Sequence, residues 1–335
     1  MTIRYYRRVL WGLLILLLGL MGLAIFVGRY PAPIWMPLQT LLRDPLAQRL
    51  VLNLRLPRIL AAVLLGMSLA AAGTALQMIF RNPLVEPGFL GVSQGAAFGA
   101  ALSIVGLGAS GLVTQAAAAL CGCLGLGLSY ALARRIRYGG WTLRLILAGI
   151  AVSALFSAGV GILKYVADPL TQLPELVFWM LGALWGVTWQ ETLSILPVTL
   201  AALAVLLLMR WRLNLLALDD ATAFSLGTAP ARERTVLLVA AVAATAAIVS
   251  VSGVVGWVGL IVPQIARSLL GADGQRALPG AVLMGGAFTL VCDTAARTAL
   301  SSEIPLGILT SLIGALAFSI LMVTPRQLAP WVSKR

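Results

Sequence analysis

A chain of 335 residues that is 60% hydrophobic and 10% charged, with a mean hydropathy of +0.99, is no water-soluble domain, where about a quarter of residues carry charge. The net charge of +13 comes from 24 lysines and arginines against 11 acidic residues, but the basic residues cluster between apolar runs and report membrane topology rather than nucleic-acid binding. There is no histidine, and Lys164 and Lys334 precede Tyr165 and Arg335, which excludes imidazole catalysis, His-ligated zinc and a G-x-x-x-x-G-K-[ST] phosphate loop.

Apolar runs of about 20 residues match a hydrocarbon core of ~30 Å crossed at 1.5 Å per residue. They predict ten spans, at 9–28, 58–80, 90–107, 112–133, 143–164, 191–209, 235–252, 258–271, 277–297 and 305–323. The expected fold is an all-α polytopic membrane protein in which residues 1–335 form a single transmembrane domain. Arg4, Arg7 and Arg8 precede the first run as in a signal peptide, but no small-x-small site follows before Arg29, so the run reads as a retained span. The 258–271 segment is too short to cross unaided, and the apolar stretches 176–189 and 253–258, interrupted by glycine, read as interfacial or re-entrant pieces.

Placing both termini in the cytoplasm puts most basic residues inside. The exceptions concentrate in one outer segment, as Arg29, Arg43, Arg49, Arg55 and Arg58. Gly66, Ala70 and Gly73, and Ala118, Gly122 and Gly125, supply small faces for close helix packing. Cys121, Cys123 and Cys292 lie in apolar runs without metal-binding spacing and read as packing residues.

Four segments depart from generic membrane helix. The first, Arg81-Asn82-Pro83-Leu84-Val85-Glu86-Pro87-Gly88-Phe89-Leu90-Gly91, is a stiff turn that holds a carboxamide and a carboxylate. The second is a polar insertion at 210–234, in which Asp219 and Asp220 open a short helix and Gly227 closes it. Its Ala223, Phe224 and Leu226 are exposed on the cytoplasmic side unless another protein covers them. In the third, Gly253, Gly256, Gly259 and Pro263 break the helix. The last runs from Asp293-Thr294-Ala295-Ala296-Arg297, whose two charges can pair four apart, to Glu303-Ile304-Pro305-Leu306-Gly307-Ile308-Leu309-Thr310.

Together with Leu54-Arg55-Leu56-Pro57-Arg58, these segments resemble, in order and spacing, the FecCD-type (type II) permeases of bacterial ABC importers for iron–siderophore complexes, haem and vitamin B12. Gln264 departs from the pattern, standing where most members carry histidine. The resemblance implies a homodimer in the inner membrane, two cytoplasmic ATPase subunits that carry ATP and magnesium, an outer substrate-binding protein, and no cofactor on this chain. By motif match it assigns binding-protein docking to Arg55, Arg58 and Arg297, and a translocation gate to Asn82, Leu84, Thr142 and Leu143. ATPase coupling falls on Asp219, Asp220, Ala223, Phe224, Ser225, Leu226 and Gly227.

The stretch from Lys164 to Pro174, ahead of Phe178-Trp179-Met180-Leu181-Gly182, resembles a sub-branch that holds molybdate or tungstate permeases and many iron-chelate permeases. Lys164 and Asp168 read as an i,i+4 pair. A proton-coupled secondary transporter is the competing class, but its usual intramembrane carboxylates or histidines reduce here to Asp293. An intramembrane enzyme lacks a histidine base or paired carboxylates inside the membrane.

Overall fold

The structure, a computed structural model, describes residues 3–31, 34–108, 111–300 and 302–323. The basic residues Arg326, Lys334 and Arg335, assigned above to the cytoplasm, lie outside the described residues. The chain is helical apart from a short hairpin in which β1 (Val27–Gly28) pairs antiparallel with β2 (Ile34–Trp35). In order, the helices are α1 (Ile3–Phe26), α2 (Leu38–Arg43), α3 (Pro45–Leu50), α4 (Leu56–Ile79), α5 (Val92–Ala101), α6 (Leu112–Arg135), α7 (Trp141–Val166) and α8 (Gln172–Leu181). They continue with α9 (Trp189–Leu208), α10 (Arg210–Leu216), α11 (Asp220–Ser225), α12 (Pro230–Ser252), α13 (Val258–Leu270), α14 (Gly274–Thr298) and α15 (Leu306–Val323).

Among the described residues seven helical stretches are long and apolar enough to cross a membrane, and three shorter apolar ones, Val92–Gly106, Val258–Leu270 and Leu306–Leu321, bring the total to the ten expected. The second span, Pro45–Ile79, runs unbroken through α3, a π-helical turn at Val51–Arg55 and α4, which is buried almost throughout, whereas most of α1 is not. Thus α4 is the central post and α1 lies at the periphery. The post can be central because its glycines admit neighbouring backbone. A Cβ on Gly66 would sit 1.9 Å from the Gly285 carbonyl oxygen of α14, and one on Gly73 the same distance from Gly259 O of α13. Van der Waals contact between such small faces, rather than water exclusion, holds helices together in lipid.

Two prolines inside helices are answered by side chains from elsewhere. Pro263 lies within α13 instead of ending it, a correction to the expected break, which falls at 253–257. Its ring removes the N–H that would bond the Gly259 carbonyl. Gln77 Nε2 of α4 donates to Gly259 O and Leu260 O, at 3.2 Å each, and fills that gap. Likewise Pro279 of α14 leaves Gln275 O free, and Tyr6 Oη of α1 donates to it at 3.3 Å.

The α12–α13 break is braced by α8. Gly182 (φ +69°) and Gly253 (φ +66°) approach so closely that a Cβ on either would meet backbone oxygen of the other segment, Val254 O at 2.4 Å and Trp179 O at 2.1 Å. Ala183 N donates to Ser252 O at 2.8 Å and Gly307 N to Gly182 O at 3.1 Å, tying the start of α15 to the same joint. Non-helical backbone at this depth is tolerated because protein satisfies it. The expected Lys164–Asp168 pair is absent among the described ion pairs. Instead Asp168 accepts from Leu170 N, Thr171 N and Thr171 Oγ1 at 2.8–2.9 Å, an Asx turn that consumes the carboxylate locally and holds it below its ordinary pKa.

Candidate translocation pathway and its two faces

Arg55, Arg58 and Arg297, expected on the outer side, line one cavity of about 370 Å³ together with Arg29, Trp185 and Glu303. Their guanidinium groups are not idle. Arg58 donates Nε and Nη2 to the Asp293 carboxylate at 2.9–3.0 Å and Nη1 to Glu303 Oε2 at 2.8 Å. Asp293 therefore pairs with Arg58 across two helices and not with Arg297 on its own, which corrects the i,i+4 expectation. Arg297 Nη2 donates to Ala24 O at 2.6 Å, while Arg55 donates to Ile25 O at 2.6 Å and Tyr30 O at 3.3 Å. Carbonyls left over at the end of α1 thus draw two arginines inward. Two of the five surplus arginines noted in the sequence, Arg55 and Arg58, therefore have structural partners, which lie far away in sequence and carry no local signal.

The inner loop is folded by its own polar atoms. Asn82 Oδ1 accepts from Leu84 N at 2.9 Å, Asn82 N donates to Gln77 O at 3.1 Å, and Arg81 takes φ +51°. Gln264 Nε2 of α13 donates to Pro83 O at 3.1 Å, so glutamine fills its unusual position as a neutral clasp. Arg267, one turn on, donates to Gln77 Oε1. Leu84 and Leu143 are exposed and Asn82 and Thr142 half-buried, leaving all four gate candidates at a surface. What joins their two segments is a ring stack that sequence reasoning missed. Phe80, at the end of α4, lies against Trp141, at the start of α7, with centroids 5.6 Å apart and planes 17° from parallel. Its only sequence signal is an aromatic directly before Thr142.

The insertion folds into α10, which the sequence does not predict, and α11, the short helix expected after Asp219. Asp219 caps α11 by accepting from Thr222 N at 3.0 Å, which holds its carboxyl below the ordinary value, and Gly227 closes the turn at φ +80°. Ser225 Oγ donates to Ala221 O at 2.9 Å. Phe224 is 72% and Leu226 55% exposed. Ala223, in contrast, is buried, and Thr228 Oγ1 donates to its carbonyl at 2.6 Å, so the expectation of exposure fails at that residue. Arg234 of α12 donates to Asp220 Oδ1 at 2.6 Å and lies 5.5 Å from the centroid of Trp141. Contacts therefore run without interruption from Asp220 through Arg234 and Trp141 to Phe80, beside Asn82.

Between the two faces a cavity of about 340 Å³ is lined by the Glu86–Phe89 loop, Ser93 and Gln94 of α5, Ser153 of α7, and the broken 254–256 backbone. Burial pushes the Glu86 carboxyl above its ordinary pKa, against the lowering effect of a 3.4 Å contact from Trp257 N.

Among the described residues, ten apolar helices, two of them the interrupted pair α12 and α13, enclose a polar-lined cavity between an arginine-rich face and a capped short helix, the architecture of a helical membrane permease. The chain belongs to the FecCD transport family, which it matches over residues 14–324, and is a permease subunit of an ABC importer. It is 38% identical over 325 residues to the molybdate import system permease MolB of Haemophilus influenzae, covering 95% of this chain and 96% of that protein. It is 37% identical over 281 residues to the hemin transport system permease HmuU of Yersinia pestis, covering 82% and 84%. A solved structure described as an inward-facing conformation of a metal-chelate type ABC transporter superposes with a TM-score of 0.87 at 38% identity, covering 94% of this chain and 99% of that one.

Proposed function

We propose that this permease carries a metal chelate of the iron–siderophore, haem or cobalamin class into the cytoplasm, driven by ATP hydrolysis on a partner subunit. The observation that carries the reading is the near-full-length likeness to a transporter described as metal-chelate type, supported by the hemin-named relative. The MolB likeness favours molybdate or tungstate as a second reading. In either case two copies of the chain form the path in the inner membrane, with both termini cytoplasmic and an ATPase subunit beneath each copy. The exposed Phe224 and Leu226 of α11, on the 210–234 insertion, sit in a cleft of the ATPase. An outer substrate-binding protein brings carboxylates to the cavity of Arg55, Arg58 and Arg297. Asn82, Leu84, Thr142 and Leu143 close the inner end.

The test is reconstitution of the chain with its ATPase and binding protein in vesicles, after the ligand on the purified binding protein has been identified by mass spectrometry. ATP-dependent accumulation of a chelate is expected. Accumulation of molybdate alone would replace the first reading by the second, and gradient-driven uptake without ATP would remove both.

A further inference from the structure

Glu86 lines the 340 Å³ cavity on the same loop that presents Asn82 and Leu84, and no lysine or arginine is among the described residues around it. A carboxylate has about four lone-pair sites to fill. The structure gives Glu86 one donor, the Trp257 N–H at 3.4 Å, beyond the usual 2.7–3.2 Å of a backbone hydrogen bond. As a cap for α13 that contact is weak, and a cap alone does not account for a carboxylate left facing a cavity.

The remaining lining is also short of partners. Ser93, Gln94 and Ser153 make no side-chain hydrogen bond among the described residues. A Cβ on Gly88 would lie 2.9 Å from Ser93 Oγ and 3.6 Å from Glu86 Oε1, so glycine keeps room in front of both oxygens. Phe89 and Ile150, both exposed, form the cavity's mouth, with Leu84 and Leu143 exposed on the same two segments.

We propose that Glu86 is a selectivity residue of the translocation cavity, which takes cargo presenting positive charge or hydrogen-bond donors and opposes oxyanions. The inference rests on the importer reading. In its ionised form, which burial disfavours and alkaline pH restores, a carboxylate without a cationic partner in a low-dielectric cleft focuses its field on whatever enters. Ser93, Gln94 and Ser153 then provide neutral polar contacts that orient the cargo without binding it tightly.

The charge preference can be read without knowing the cargo. Ser153→Cys is introduced into the full chain, solubilised in detergent at pH 8, and modified with a cationic or an anionic methanethiosulfonate of similar size. Peptide mass spectrometry gives the rate at position 153 alone. With Glu86 present, the cationic reagent should react faster by on the order of tenfold, as expected for unit charges several ångströms apart in a partly screened site. Glu86→Gln should bring the ratio close to one and Glu86→Asp should keep it. A ratio unchanged by Glu86→Gln, or a position that neither reagent reaches, would overturn the proposal. Labelling is done on the monodisperse size-exclusion fraction, because unfolded protein would react equally with both reagents and imitate the Glu86→Gln result. Loss of ATP dependence in vesicles would sink the importer reading while leaving the ratio intact, so the two failures are distinguishable.

Discussion

Phe80 and Trp141 stack at 5.6 Å, a ring contact that ties the end of α4, just before Asn82 and Leu84, to the first residue of α7, just before Thr142 and Leu143. Arg234 of α12 reaches the same indole while it binds Asp220 of α11. An aromatic pair contributes about 0.5–1.5 kcal/mol beyond its burial, enough to shift a two-state equilibrium up to about tenfold. Trp141→Leu should lower cargo moved per ATP by several-fold in reconstituted vesicles while ATP hydrolysis persists, since α11 itself is untouched. Equal losses in uptake and hydrolysis would show that the stack does not transmit between the two.

Phe224 is the most exposed large side chain of the insertion described here. A buried aromatic anchor at an interface contributes about 2 kcal/mol or more. Phe224→Asp should weaken co-purification with the ATPase about 30-fold, read by titration in detergent. Unchanged binding would take α11 out of the interface.

Arg58 neutralises Asp293, whose side chain is 1% exposed. Removing one partner of a buried pair costs about 3–5 kcal/mol, whereas replacing both by apolar residues is often neutral. Arg58→Met should sharply lower the thermal midpoint of the detergent-solubilised protein, and Arg58→Met with Asp293→Leu should recover most of it. The stable double variant then isolates docking from folding. If its affinity for the binding protein matches that of the parent, Arg58 has no docking role.

Gln77 supplies Gly259 O with the donor that Pro263 withholds. Gln77→Leu leaves that carbonyl unsatisfied, at a cost of about 1–3 kcal/mol. In a Pro263→Ala background the α13 N–H returns, so the same Gln77→Leu change should cost clearly less in thermal unfolding. Equal costs in the two backgrounds would mean that the side chain does not compensate for the proline.

Asp219 caps α11 in the charged form, and its carboxyl is held below the ordinary value by the Thr222 N–H. The cap therefore stabilises α11 above the usual carboxylate range and is lost as pH falls through the lowered value. Amide exchange at Thr222 should accelerate in acid beyond its intrinsic rate, and Asp219→Ala should remove that extra dependence. A pH response surviving Asp219→Ala would assign it elsewhere.

The ten apolar helices were legible because a membrane span is a local property of composition and length. The short helix after Asp219 was legible for the same reason, since its cap, acidic first turn and closing glycine lie within nine residues. The wiring was not. Arg58 finds Asp293 235 positions away, and Gln77 finds Gly259 182 away. The nearer choices, Arg297 for Asp293 and Lys164 for Asp168, lost to a bidentate fork and to an Asx turn. Ala223 and Phe224 share one motif, and only the tertiary fold shows which of them faces inward.

The fork at Arg58 has a consequence for anything that approaches from outside. Asp293 occupies one edge of the guanidinium from beneath, and the other edge is held by Glu303, whose side chain is 36% exposed at the threshold of α15. If a partner's carboxylate docks on Arg58 as proposed, it would have to displace Glu303, exchanging one carboxylate for another at a residue linked to α15 only by Ile304 and Pro305.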